Sequence, residues 1–414
     1  MIPRDRIVTA LLAPDLLPTL SGMDWDLLIR QARRSNLLAR LAHLLIQNGQ
    51  IEKVPNSPRL HLFSALRMVE RQDVAMRWEV DCIQNALANA GVKITLLKGA
   101  AYVMAGLPAA NGRTFSDIDI IVPKKHVAEV ESALMLNGWQ GTHHDDYDQR
   151  YYRRWMHEIP PMRHVRRGTS IDVHHAILPE TARIKVNTPA LLKAVVALPG
   201  YENLYVLKPE DMLLHSATHL FHEGALDNGL RDLFDLDSLL RHFGDNPEFW
   251  SALVPRAIEL GLTRPLYYAI RYTTTMLDTP VPQAVINAAE IGRPPHGIAS
   301  LVDFCYLRAL RPTHDSCNTP GTGLAGLPSI SVRTGCACPS RYWPIIWRAR
   351  LSCGRSSCRW KQPSQPRKGS HFNVFIRRIK AEPCRVPDAW SVRARNATQP
   401  SATRLAMCAR ASSI

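Results

Sequence analysis

Two aspartates, two residues apart in an otherwise apolar run, constrain this chain more than any other feature. The stretch reads Gly112-Arg113-Thr114-Phe115-Ser116-Asp117-Ile118-Asp119-Ile120-Ile121-Val122-Pro123. Its second half has the character of a β-strand, on which residues two apart share a face. Asp117 and Asp119 therefore point the same way. Carboxylates so placed repel each other, and neither belongs on a packed surface. A hard divalent cation such as Mg2+ or Mn2+ removes both problems, because it takes oxygen ligands. The plainer alternative is an edge strand with its acids in water.

The neighbouring sequence favours the cation. Upstream, Ile94-Thr95-Leu96-Leu97 is a short apolar run closed by Lys98-Gly99, after which Ala100 to Met104 opens a helix. Downstream, Ser170-Ile171-Asp172-Val173-His174 is a second apolar strand with one acid. The order strand, glycine turn, helix, Asp-x-Asp strand and third acidic strand resembles that of the DNA polymerase beta-type nucleotidyltransferases. In detail, Leu97-Lys98-Gly99, then Arg113 before Asp117-Ile118-Asp119, then Ile171-Asp172-Val173-His174 are similar to the motifs of an uncharacterised bacterial nucleotidyltransferase family. The resemblance spans residues 25 to 300.

That resemblance implies a metal-dependent enzyme that moves an NMP from an NTP, ATP among them, to a hydroxyl acceptor. The acceptor class stays open among small molecule, protein and RNA. Asp117 and Asp119 are expected to hold Mg2+ or Mn2+, and Asp172 the acceptor-side ion, where it also takes the acceptor's proton. Gly99 is expected to let the backbone approach the phosphates at the start of the helix, with Lys98 and Arg113 as cationic clamps on the triphosphate. One departure stands out. Many enzymes of the superfamily have Gly-Ser at this turn, whereas Gly99 is followed by Ala100, so a serine contact to phosphate is missing. His174 shares a face with Asp172 and is expected to orient it or reach the substrate. His219, His222 and Arg231 are candidates for the opposite wall. Two other readings remain open: a catalytically silent nucleotide-binding module, and a toxin-like enzyme that modifies tRNA.

The expected fold is α/β (α+β), a small mixed sheet flanked by helical parts. Residues 24 to 48 and 59 to 90 show helical apolar spacing closed by Gly49 and Gly91, so 1–91 reads as an N-terminal helical segment. Residues 92–200 form the catalytic core and 201–310 a helical domain, opened by Pro209-Glu210-Asp211, a helix-start signature. Between the acidic strands, residues 140 to 168 are polar. His143-His144-Asp145-Asp146-Tyr147-Asp148 reads there as a loop rather than a metal cluster, because adjacent residues seldom converge on one ion.

Charge separates the last hundred residues from the rest. The chain has 51 Lys+Arg and 36 Asp+Glu, of which 18 and 3 fall after residue 310, leaving 33 of each before it. The formal net charge of +15 thus belongs to the tail, and the first 310 residues give a nucleic-acid groove little support beyond Arg163, Arg166 and Arg167. Seven of nine cysteines also lie in 311–414, without the spacing of a zinc framework. Two readings of this segment stand: a disordered basic tail that binds nucleic acid or a membrane surface, or coding sequence translated out of frame. The start of the chain does not resemble a signal peptide, and no apolar run approaches the ~20 residues of a membrane span. A cytoplasmic protein with reduced thiols is the expectation.

Overall fold

The computed structural model describes residues 5–142, 145–223 and 226–322. His143 and His144 lie outside the described residues, as do the side chains of Asp146, Tyr147 and Asp148 and all of 323–414.

The fold is mixed α/β. Seven strands form one sheet in the order β3-β4-β5-β2-β1-β7-β6. Their ranges are β1 Ile94–Leu96, β2 Ile118–Ile121, β3 Trp139–Gly141, β4 Met162–His164, β5 Ser170–His174, β6 Val195–Ala197 and β7 Leu204–Leu207. β2 runs parallel to β5 and β1 parallel to β7, while the other neighbours are antiparallel. All residues of the central strands β1 and β2 are buried. That is why both read as nearly unbroken apolar runs: a strand covered on both faces has no side left to wet.

Helices supply the covers. The long helix Asn56–Leu87 packs against Lys98–Met104 and Val127–Leu136. Before it, Gly22–Arg34 starts at a capping box in which Ser21 and Asp24 satisfy each other's backbone N–H groups. After the sheet, Pro209–Thr218, Gly229–Phe243, Pro247–Leu260 and Thr263–Leu277 pack together. Phe221, Tyr268, Tyr272 and Tyr306 form an aromatic knot there, with ring centroids 5.2–6.1 Å apart. A single apolar core runs through all these parts. None of the described helices is long and apolar enough to cross a membrane.

Three local features differ from the sequence expectation. The helix after β1 begins at Lys98 rather than Ala100. The polar segment after β3 is ordered: it holds the helix Asp146–Trp155 and then β4, which pairs with both β3 and β5. Strands of three residues are too short to show a period. What holds them is Trp139, buried under the Arg167 guanidinium at 4.6 Å and edge-on to His164. Finally, the ordered chain continues past residue 310. Arg311 is buried and forms a forked ion pair with Asp5, one arm at 2.9 Å. Gln31 donates to Ser316 Oγ at 2.9 Å, and Cys317 is buried.

Candidate active site

The parallel register of β2 and β5 sets Asp119 directly beside Asp172. Asp117 sits just before β2, half-buried, and its Oδ1 accepts a hydrogen bond from Ser116 Oγ at 2.6 Å. The three acids found in the sequence thus meet at one place, two on adjoining strands and Asp117 at the entry to β2. Across β2, the turn after β1 brings in Lys98, whose Nζ donates to Asp119 Oδ1 at 3.0 Å. Lys98 adopts φ +46°, a left-handed conformation that L-residues other than glycine and asparagine avoid. Such a conformation costs about 1–3 kcal/mol and persists when surrounding structure imposes it, commonly at functional sites.

His174 does not turn toward Asp172 on its own strand. Its Nε2 lies 3.2 Å from Asp119 Oδ1 and 3.4 Å from Glu158 Oε2, so it bridges an acid of the Asp-x-Asp strand to a fourth carboxylate. Glu158 reaches this position because residues 157–159 run antiparallel to the end of β5. Ile159 N donates to Val173 O at 3.1 Å, and Glu158 pairs with His174 across the bridge.

The two registered aspartates experience opposite fields. Burial pushes the Asp119 carboxyl upward, but Lys98, the hydrogen bond and charge of His174, and His219 together outweigh it, holding Asp119 well below the usual carboxylate range. For Asp172, burial and the neighbouring Asp119, Asp117 and Glu158 all act upward and exceed the pull of Lys98, so its carboxyl is driven well above that range. This crowding of carboxylates is the condition that a divalent cation relieves, and the donor set of Asp117, Asp119 and Asp172 fits Mg2+ or Mn2+ on chemistry.

Arg113, expected as a cationic clamp on the triphosphate, has carboxylate partners within the protein. It is buried, with Nε 2.7 Å from Asp235 Oδ2 and Nη2 3.9 Å from Asp232 Oδ1, and its guanidinium lies near the rings of Tyr102 and Phe115. Arg40 Nη2 takes the other oxygen of Asp235 at 2.7 Å. Gly99 is pressed against this arrangement. A Cβ there would fall 2.6 Å from both Arg113 Nη1 and Phe115 Cδ1, so the loop ahead of β2 closes onto the turn only because residue 99 has no side chain. Arg113 therefore braces the Lys98-Gly99 turn from behind.

The other candidates divide. His219, half-buried in the π-helical turn His219–Glu223, is close enough that its charge bears on both Asp119 and Asp232. Arg231 forks onto Asp232 at 2.7 and 2.9 Å, and His222 stacks 6.3 Å from Tyr268. Arg167 is committed to the buried Glu79 through two bonds of 2.8 Å, and Arg163 donates to Gly168 O at 3.0 Å. A groove of about 710 Å³ opens beyond the ends of β2 and β5, lined in part by Lys124, His175, Lys185 and Lys193. It includes none of the three acids.

Two functional residues escaped the sequence reading. Glu158 lies in a polar stretch with no strand signal. Asp235 sits in Leu230-Arg231-Asp232-Leu233-Phe234-Asp235-Leu236, where acids three apart share a helix face, a detectable sign of a shared partner. A sequence profile for a family described as uncharacterised nucleotidyltransferase matches residues 21–278. No curated protein and no solved structure matches the chain.

Proposed function

As the chain belongs to the uncharacterised nucleotidyltransferase family, and so among transferases of phosphorus-containing groups, we propose that it moves an NMP from an NTP to a hydroxyl acceptor at Asp117, Asp119 and Asp172. The observation that supports this most is the side-by-side register of Asp119 and Asp172, with Lys98 held against Asp119 by a backbone conformation that disfavours lysine.

Asp117, Asp119 and Asp172 would hold Mg2+ or Mn2+. When bound, such ions supply positive charge that offsets the triphosphate and makes the acceptor hydroxyl more acidic. The protein's own part is alignment and proton handling. Asp119 stays ionised at every physiological pH and anchors the site. Asp172, registered directly beside Asp119, is placed to serve as the general base. It takes the proton as the hydroxyl O–H bond breaks. The hydroxyl oxygen forms its bond to the α-phosphorus, the α–β bridging bond breaks, and pyrophosphate leaves with that electron pair. Lys98, bonded to Asp119 in the resting protein, would turn its ammonium to the triphosphate. Arg113 and Gly99 fix the turn that positions Lys98.

Of the other readings, the silent nucleotide-binding module is disfavoured by the intact acid trio. The tRNA-modifying reading is weakened, because Arg167 is paired with Glu79 and Arg163 is bonded to the Gly168 carbonyl, which leaves Arg166 of the three cations that motivated it. Incubating the protein with Mg2+, each NTP and pooled acceptors, then seeking a mass increase of one NMP, tests the proposal. Absence of both a labelled product and pyrophosphate release across all four NTPs, a metabolite pool, cell protein and total RNA would overturn it.

A further inference from the structure

One side-chain cluster beside the carboxylates has donor chemistry of another kind. His157, Glu158 and His174 each offer one donor atom within 4.8 Å of the other two. His157 and His174 are buried, their rings 5.3 Å apart and tilted by 32°, while Glu158 is partly open to solvent. We propose that these three residues form a second cation site, selective for a borderline first-row ion of the Zn2+ class rather than for Mg2+.

Ligand type is the first argument. Two imidazoles and one carboxylate suit Zn2+, Co2+, Ni2+ or Fe2+, whereas Mg2+ prefers oxygen throughout. The all-oxygen set of Asp117, Asp119 and Asp172 and this mixed set therefore sort different ions a short distance apart. Spacing is the second. Tetrahedral ligands about 2.0–2.2 Å from zinc stand roughly 3.3 Å from one another. His174 Nε2 and Glu158 Oε2 are already 3.4 Å apart, and the third donor needs a movement on the order of an ångström to reach that spacing.

Backbone order is the third argument. Adjacent residues such as His157 and Glu158 converge on one point only where the chain is re-aimed. Here the His157 carbonyl accepts both His175 N–H at 2.8 Å and Ala176 N–H at 3.2 Å, so the chain just past β5 bulges around residue 157, and the Glu158–His174 bridge sets Glu158 beside His174. The segment is thus locked to the end of β5 without an ion. Three protein ligands also leave a position for water or substrate, as in catalytic zinc sites. The site rests on these three side chains, with Asp119 at the edge of it beside His174, and not on nucleotidyl transfer.

Co2+ tests it, because its visible d–d absorption reports nitrogen-containing, low-coordinate sites. Full-length protein without an affinity tag is stripped with chelator and titrated with Co2+ in excess Mg2+. The expectation is one equivalent of visible-absorbing Co2+, displaced by Zn2+. Glu158→Gln, which preserves shape, should weaken binding at least about tenfold, and His157→Asn should do the same with an unchanged circular dichroism spectrum. Asp172→Asn, which alters the oxygen site, should leave Co2+ binding intact. The proposal is overturned if wild type shows no such absorption, if Glu158→Gln binds Co2+ as wild type does, or if Asp172→Asn abolishes it. A band from thiolate ligation that survives Glu158→Gln would place the ion on cysteine and also count against it.

Discussion

Asp119 and Asp172 are direct neighbours across the β2–β5 ladder, yet their environments drive their carboxyls in opposite directions. Lys98 and His174 bond to Asp119, while Asp172 faces three other acids. In the proposed mechanism this split becomes a division of labour, with Asp119 kept ionised and Asp172 left to exchange a proton.

That division predicts separable losses. Asp117→Asn and Asp119→Asn should each abolish Mg2+-dependent NTP turnover in a protein that remains folded. Asp172→Asn should keep NTP affinity near wild type while transfer falls by about 10²-fold or more, the usual worth of a general base. Titration with labelled NTP, beside single-turnover rates and melting curves, checks both. Wild-type transfer by folded Asp172→Asn would remove that residue from the mechanism.

Asp235 receives two guanidinium groups, so its loss should be felt as stability. Asp235→Ala leaves Arg40 and Arg113 buried without their shared partner, and about 3–5 kcal/mol should be lost in denaturant unfolding. Arg113→Lys should also destabilise, because an ammonium cannot reproduce the planar fork. A neutral effect of both changes would contradict the bracing role.

Two glycines should differ in their tolerance of alanine. At Gly99 the new methyl meets side-chain ends of Arg113 and Phe115, and a cost of about 1–3 kcal/mol is expected, with weaker NTP binding as the turn is displaced. At Gly112, φ is +66° and the methyl would overlap the backbone of Ala39 and Arg40, which cannot swing aside. Gly112→Ala should therefore lower the melting temperature more than Gly99→Ala. The reverse order in thermal melts would refute this packing.

Cys317 provides a chemical marker for the last of the described residues. Burial, followed by the influence of Asp5, pushes its thiol up to about 12. Below that value it remains protonated and poorly nucleophilic. Iodoacetamide at pH 8 should leave Cys317 unmodified in the native protein and label it in denaturant, as read by peptide mass spectrometry. A chain ended after Thr322 should melt like the full chain. One ended at Leu310 deprives the buried Asp5 of Arg311 and should lose about 3 kcal/mol.

How much of this was legible in the sequence follows from the range of each signal. The three acids, the Lys98-Gly99 turn and the apolar central strands rest on patterns within ten residues, and the structure sets Asp119 and Asp172 side by side with Asp117 just ahead of β2. Register is a different matter. Asp119 and Asp172 become neighbours across an intervening stretch that holds two helices, β3 and β4, whose three-residue strands leave no period to read. Arg113 shows the same limit more sharply. A cation near an Asp-x-Asp strand suggests a phosphate clamp, and its actual partner, Asp235, is 122 positions away. His174 was correctly placed near the acids, but its face on β5 did not reveal that it leans across to Asp119.

The clasp on Asp235 also has a consequence in time. Translation delivers Arg40, then the Lys98-Gly99 turn and Arg113, then both acidic strands, and only afterwards the helix Gly229–Phe243 that bears Asp235. Domains made on the ribosome tend to fold from the N-terminal end as they emerge. In this protein the acids leave the exit tunnel before the anchor that steadies the turn beside them, so a half-made chain has all three proposed ligands and still lacks the clasp on Arg40 and Arg113. The site matures late, when the nascent chain has grown long enough to shut it.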